Sequence, residues 1–310
     1  MAARWRYHLE YRAVAAVAAM VRALPPRVSE WLGTTIGYTF YALDAPHRRL
    51  ALDNLAAAFP GRSERERRAI ARGVFAHFGC LLTELLRFSG LDRERMLASV
   101  EFEGEERATQ ALAQGRGVLF ITGHFGFWEL QAMAHALRFP PVGVVVRALE
   151  NPQLNAWIEA LRTSTGNFVI HRRGSLRRIL RALSNNQAVA ILIDQHIQAS
   201  DAVVVDFFDR PAATTSAVAA LALRTGAPII PVFAVRIAEG RYRMIYEPPI
   251  EPPAADSPDA VRELTQRCTD VLEMYVRRHP SLWLWMHRRW RDLPKRDEVP
   301  GMFPAGAAED

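Results

Sequence analysis

Two cysteines among 310 residues, Cys80 and Cys268, make no disulfide framework, and their separation gives no thiolate metal spacing. That usage predicts a reducing, cytoplasm-facing location. Lysine is nearly missing, since of 39 basic residues only Lys295 is not arginine. Zinc-finger spacing and RNP-like strings are absent, so nothing points to a nucleic-acid partner. Long apolar runs are lacking too. Residues 13–21 are continuously apolar but bracketed by Arg12 and Arg22, and the uncharged run from Trp31 to Leu43 is also shorter than the ~20 residues a spanning helix requires.

What is present is a basic, core-forming chain. Half of the residues are hydrophobic, and 39 basic against 33 acidic side chains give a net charge of +6. A chain of this length buries a sizeable core, and its charge predicts an anionic partner surface such as lipid or phosphate. Arginine suits bidentate phosphate and carboxylate recognition, although a GC-rich genome gives the same bias.

The two short apolar segments beside Arg4, Arg6, Arg12 and Arg22 predict an interfacial, monotopic membrane anchor over residues 1–45. Ordinary core helices are the alternative. A signal peptide fits poorly, because Glu10 interrupts the positive leader and "VRALPP" makes a poor cleavage site. From Ala45 to about Arg95 the pattern is helical, with Ser63 and Glu66 placed as a capping box.

Beyond residue 100 short β-rich runs alternate with helical stretches: "GVLFIT", "PVGVVV", "NFVI", "AVAILI", "AVVVDFF" and "PIIPVFAVRI". This alternation predicts an α/β fold with a mostly parallel central sheet flanked by helices. The intervening helices are expected over 128–137, 152–164, 175–184, 216–224 and 259–277. One catalytic domain over 46–298, with a flexible tail over 299–310, completes the expected organisation.

At the end of "GVLFIT" stands "GHFGFWE", which places His124 at the carboxyl edge of the sheet, where open α/β folds bind ligands. On one ideal helix, His124 and Glu129 would lie about 140° apart. The expectation is therefore His124 before a helix and Glu129 in its first turn, with the carboxylate orienting one imidazole nitrogen and the other free as general base. No serine or cysteine adjoins His124, so the nucleophile is expected to be a substrate hydroxyl. Gly123 and Gly126 allow close backbone approach, and the helix N-terminus offers amide donors for an oxyanion or phosphate. A structural histidine–glutamate hydrogen bond is the plainer reading of the pair.

The stretch "HFGFWE" resembles the signature of the bacterial lipid A biosynthesis acyltransferases, the late lauroyl and myristoyl transferases. "VRALENP" is similar to that family's Arg and N-P element, with Arg147, Asn151 and Pro152. "ILIDQH" resembles its D-Q element, with Asp194 and Gln195. "FFDRPAATT" and "WLWMHRRWR" resemble its later segments, so the likeness runs in order over roughly residues 45–292.

The resemblance implies acyl transfer from a carrier-protein or coenzyme A thioester to a glycolipid hydroxyl, without metal or other cofactor. It implies His124 and Glu129 as the catalytic pair, and Arg147, Asp194, Gln195, Gly126, Trp128 and Asn151 as substrate-binding positions. It further implies the cytoplasmic face of the inner membrane, an acyl carrier protein as partner and an anionic acceptor. Phe127, His196 and Asp209 depart from the residues common in the family, and the first two bear on acceptor and chain preference.

Rival readings are a lysophosphatidate-type acyltransferase, whose His-Asp pairing and F-P-E-G element are missing, and a relative acting on a mannolipid or ornithine lipid. A thioesterase and a non-catalytic lipid binder complete the set. Two basic runs, residues 171–181 and 287–296, are candidate faces for an acidic carrier or a phosphorylated lipid. Trp283, Trp285 and Trp290 suggest membrane-interface contact in the second run.

Overall fold

The computed structural model describes residues 2–88, 90–197, 202–238, 240–254 and 256–291. The expected tail over 299–310 lies outside them, as do Lys295 and Arg296. Five helices lead the chain: α1 (Ala2–Ala23), α2 (Pro26–Leu43), α3 (Ala45–Ala58), α4 (Glu64–Phe88) and α5 (Arg93–Ala98). The Ser63 capping box forms, with the Ser63 backbone N–H donating to Glu66 at 2.8 Å and Ser63 Oγ accepting from the Glu66 N–H at 3.3 Å.

There follow β1 (Val100–Glu103), α6 (Glu105–Ala113), β2 (Val118–Thr122), α7 (Trp128–Arg138), β3 (Val142–Val146), α8 (Pro152–Thr163), β4 (Phe168–His171), α9 (Ser175–Ser184) and β5 (Ala188–Leu192). The chain then forms β6 (Ala202–Asp206), β7 (Pro211–Thr215), α10 (Ala217–Thr225), β8 (Ile229–Ala238), β9 (Arg241–Tyr246) and α11 (Ala260–Arg278).

The seven-stranded sheet has the order β1-β9-β8-β2-β5-β3-β4. Its β8, β2, β5, β3 and β4 run parallel, while β9 is antiparallel to β8 and parallel to β1. Strand β2 sits near the middle and is buried along its whole length. Alternate side chains feed different cores, Leu119 and Ile121 one and Val118 and Phe120 the other, as strand geometry dictates. "AVVVDFF" departs from expectation: β6 pairs with β7 in a separate two-stranded antiparallel sheet. A short return through Phe207–Arg210 allows that hairpin, whereas joining a parallel sheet needs a crossover.

The first two helices face two environments. Ser29, Gly33 and Gly37 form the buried stripe of α2, and a Cβ on Gly37 would stand 2.1 Å from the Phe75 carbonyl of α4. Small residues thus let the two backbones touch. The opposite surface of α2 exposes Trp31 and Tyr38, its C-terminal end exposes Phe40 and Leu43, and α1 exposes Trp5, Leu9, Val17 and Met20. Among the described residues one helix, α4, is long and apolar enough to cross a membrane, and 56% of that apolar window is buried inside the protein.

Candidate active site

Strand β2 ends at Thr122, and the five residues before α7 turn sharply back over the sheet edge. Their backbone is bound to the segment after α11: the Gly126 N–H donates to Leu282 O at 2.9 Å, and Leu284 N–H to His124 O at 3.1 Å. Gly126 has φ +57°, and a Cβ there would meet Ala234 O at 1.9 Å, so only glycine fits. The buried Phe125 ring lies edge-on to Phe233 and Tyr275. This anchoring fixes the direction in which His124 leaves the loop.

The carboxylate that holds His124 belongs to Asp194, not Glu129. Asp194 follows β5, the immediate neighbour of β2, and is 2% exposed. His124 Nδ1 is 2.8 Å from Asp194 Oδ1, and the His124 backbone N–H donates to Oδ2 at 2.7 Å. Trp283 Nε1 also donates to Oδ2, at 2.9 Å. With Nδ1–H donating to the carboxylate, Nε2 presents its lone pair outward. The His124 side chain keeps 22% exposure, and among the described residues no protein group hydrogen-bonds Nε2.

Glu129 does lie in the first turn of α7, but it is occupied by a different cation. Arg162, in the last turn of α8, donates to both of its oxygens at 2.9 and 2.5 Å, a bidentate pair with both partners mostly buried. Burial works to lower the His124 pKa, but the Asp194 carboxylate and its hydrogen bond, aided by the charge of Glu129, outweigh it, so the net shift is upward. Burial likewise disfavours ionised Asp194, yet His124 and its hydrogen bonds hold the carboxyl below its ordinary value. A negative dyad member inside and a partly open imidazole outside make a general-base arrangement.

The remaining residues singled out in sequence separate into two groups. Trp128 closes one side of the site, its ring 5.2 Å from that of His124, and Gly126 supplies the turn. Arg147 and Gln195 follow β3 and β5 at the carboxyl edge and are exposed. Asn151 is buried and fully engaged as the cap of α8: its side chain accepts from Gln153 and Leu154 and donates to Tyr7 O and Glu10 of α1. Its amide thus ties α1 to α8 rather than facing a ligand.

Arg162 and Trp283 escaped sequence reasoning as site residues. The tryptophan motif was visible, but its direction was not: Trp283 and Trp285 are fully buried, and Trp290 donates to Phe207 O at 3.1 Å. Their indole faces fill the core beside Phe207 and Phe208, which corrects the membrane-interface expectation. Arg289 is buried too, donating to Ala213 O at 2.7 Å and to Thr214 Oγ1; burial lowers its pKa to about 10 against the pull of Asp194.

Among the described residues no group of three or more His, Cys, Asp and Glu could hold a metal ion. Residues 3–292 match the family described as bacterial lipid A biosynthesis acyltransferases. The lipid A biosynthesis lauroyltransferase of Escherichia coli K12 is 28% identical over 301 residues, covering 96% of this chain and 95% of that one. A phosphatidylinositol mannoside acyltransferase of Mycolicibacterium smegmatis is 23% identical over 225 residues, 71% of this chain and 72% of its own. Among solved structures, the Thermotoga maritima 1-acyl-sn-glycerophosphate acyltransferase aligns with a TM-score of 0.37 and 16% identity, covering 81% of this chain and 97% of that one. The chain belongs to the bacterial lipid A biosynthesis acyltransferases, and its activity is acyl transfer to lipid A or a related glycolipid.

Proposed function

We propose that this enzyme takes an acyl chain from a thioester, on acyl carrier protein or coenzyme A, and places it on a hydroxyl of a lipid A precursor at the cytoplasmic face of the inner membrane. The observation that carries the mechanism is the hydrogen bond between His124 Nδ1 and the buried Asp194. His124 Nε2 removes the acceptor's hydroxyl proton as the oxygen attacks the thioester carbonyl. The tetrahedral adduct then expels the thiolate, which receives that proton from His124. Asp194 steadies the imidazolium between the two transfers.

Glu129 holds Arg162 at the rim, where its guanidinium recognises an acceptor phosphate or the developing oxyanion, and the first turn of α7, which has no side-chain cap, offers amide donors. No metal or redox cofactor enters this chemistry. Exposed tryptophan and other apolar side chains on α1 and α2 support attachment to the bilayer surface. A mannolipid acceptor is the second reading, favoured by the likeness to the mannoside acyltransferase.

Membranes containing the enzyme or its His124→Ala variant, supplied with acyl carrier protein thioester and a lipid A precursor, decide the matter by mass spectrometry. One added chain is expected from the unmutated enzyme, and a rate lower by about 10²–10⁴-fold from the variant. Free fatty acid without acylated lipid would instead identify a thioesterase. An intact thioester and an unchanged precursor would redirect the search to other glycolipid acceptors.

A further inference from the structure

The carboxyl edge of the sheet carries more than His124. From β2 outward the strands run β5, β3, β4, and each of the last two delivers arginine to that edge: Arg147 after β3, Arg172 and Arg173 after β4. Arg177 and Arg178 follow in the first turn of α9, with Arg181 one turn further. All six are exposed, and among the described residues none has a carboxylate within ion-pairing distance. Residues 171–184 contain no aspartate or glutamate; Glu159 of α8 pairs with His171 at 3.7 Å, and Asp194 and Glu129, at the same sheet edge, are held by His124 and Arg162.

For Arg177 and Arg178, in the first turn, this placement opposes stability, while Arg181 lies in the last turn. Backbone N–H groups make a helix N-terminus positive, so acidic side chains belong in the first turn and basic ones in the last. Helix α9 has no acidic residue in its first turn and no side-chain cap on Gly174. Its inner face is ordinary core, with Ile179, Ala182 and Leu183 buried. Concentrated like charge that works against the helix is therefore unlike a merely solvated face, and it is relieved when an anionic surface docks.

Within the arginines two leucines stand out to solvent, Leu149 and Leu176, 50% and 55% exposed. A bilayer interface favours Trp and Tyr, and the exposed examples, Trp5, Trp31 and Tyr38, lie on α1 and α2. Apolar anchors ringed by arginine match a protein interface. We infer that the β3–β4–α9 edge docks an acidic protein surface, that of the carrier bearing the acyl thioester. This rests on the acyl-transfer reading. Three strand spacings separate β4 from β2, about 14 Å, and a pantetheine arm, as long as roughly five extended residues or ~17 Å, spans that distance to His124.

The test uses the full-length enzyme with Arg173→Glu, Arg177→Glu and Arg178→Glu combined, reversals that favour the α9 N-terminus and so leave the fold intact, as a melting curve checks. The Kd for lauroyl-loaded acyl carrier protein and the KM for that donor are expected to rise about tenfold or more, with the salt dependence of binding flattened. KM for lauroyl-pantetheine and flotation with phosphatidylglycerol vesicles should stay as they are. Lost flotation with unchanged carrier binding would overturn the inference in favour of an anionic lipid surface. No change in any measurement would reduce the patch to a solvated face. Absence of transfer from every thioester by the unmutated enzyme would count against acyl transfer alone, since the carrier Kd still reports on the docking surface.

Discussion

Around His124 the protein keeps one carboxylate in its interior and another at its rim. Asp194 is 70 residues away in sequence and 2.8 Å away in space, whereas Glu129, five residues along, gives both of its oxygens to Arg162. The interior carboxylate accepts three hydrogen bonds, from a ring nitrogen, a backbone amide and an indole, so its position is fixed from three directions. The rim carboxylate makes one bidentate contact with a long side chain that starts on another helix. An orienter of a general base needs the first kind of environment, and a group that meets a charged substrate can use the second.

The largest effect should come from Asp194→Asn. A neutral amide cannot stabilise the imidazolium, and it favours the wrong tautomer, so transfer should fall by about 10²–10⁴-fold, measured well below a Tm that also drops as three hydrogen bonds lose their charged acceptor. A near-normal rate would return the orienting role to Glu129. Next, Trp283→Phe keeps the ring and deletes the indole donor to Asp194. A hydrogen bond to a charged group contributes about 1.5–3 kcal/mol, and where the loss falls on the transition state kcat drops roughly tenfold or more. Equal losses in kcat and Tm would mark Trp283 as packing alone.

Glu129→Gln should act on the other side of the comparison. It leaves Arg162 without its bidentate partner, so the KM for the acceptor should rise about tenfold while kcat changes less. The double variant with Arg162→Gln provides a coupling energy, expected at about 1 kcal/mol or more for groups in direct contact. Additive losses would separate the two residues functionally, despite their contact.

The parallel strands and most helices were legible because their signals are local: continuous apolar runs for β2, β3, β4 and β5, and capping or periodicity for α4 and α9. Strand β7, made of "PAATT", opens on proline and two alanines, which have weak strand preference, and β9, "RYRMIY", alternates charges at an outer position where one face meets solvent. His124 was legible too, since a strand end, glycines and a helix start all point to it. Asp194 was visible as a residue after a strand, but its service to His124 depends on β5 lying beside β2, which no spacing encodes. Trp283 reaches the site only because residues 282–284 bind the loop that carries His124, a contact between chain segments about 160 residues apart.

The smallest effect tests the electrostatic share of each carboxylate. In the proposed mechanism the neutral imidazole is the base, so activity is expected to fall as pH drops through the His124 pKa, and both acids raise that pKa above its ordinary 6.5. The acidic limb of the kcat/KM profile should therefore lie above 6.5 in the unmutated enzyme. Removing the rim charge with Glu129→Gln should move the limb toward lower pH, and removing the interior charge with Asp194→Asn should move the residual activity further in the same direction. Asp194 acts through both its charge and its hydrogen bond, Glu129 through charge alone, so the ranking follows from geometry. A larger displacement from Glu129→Gln than from Asp194→Asn would mean that the rim carboxylate governs the base after all, with Arg162 yielding its place when substrate binds.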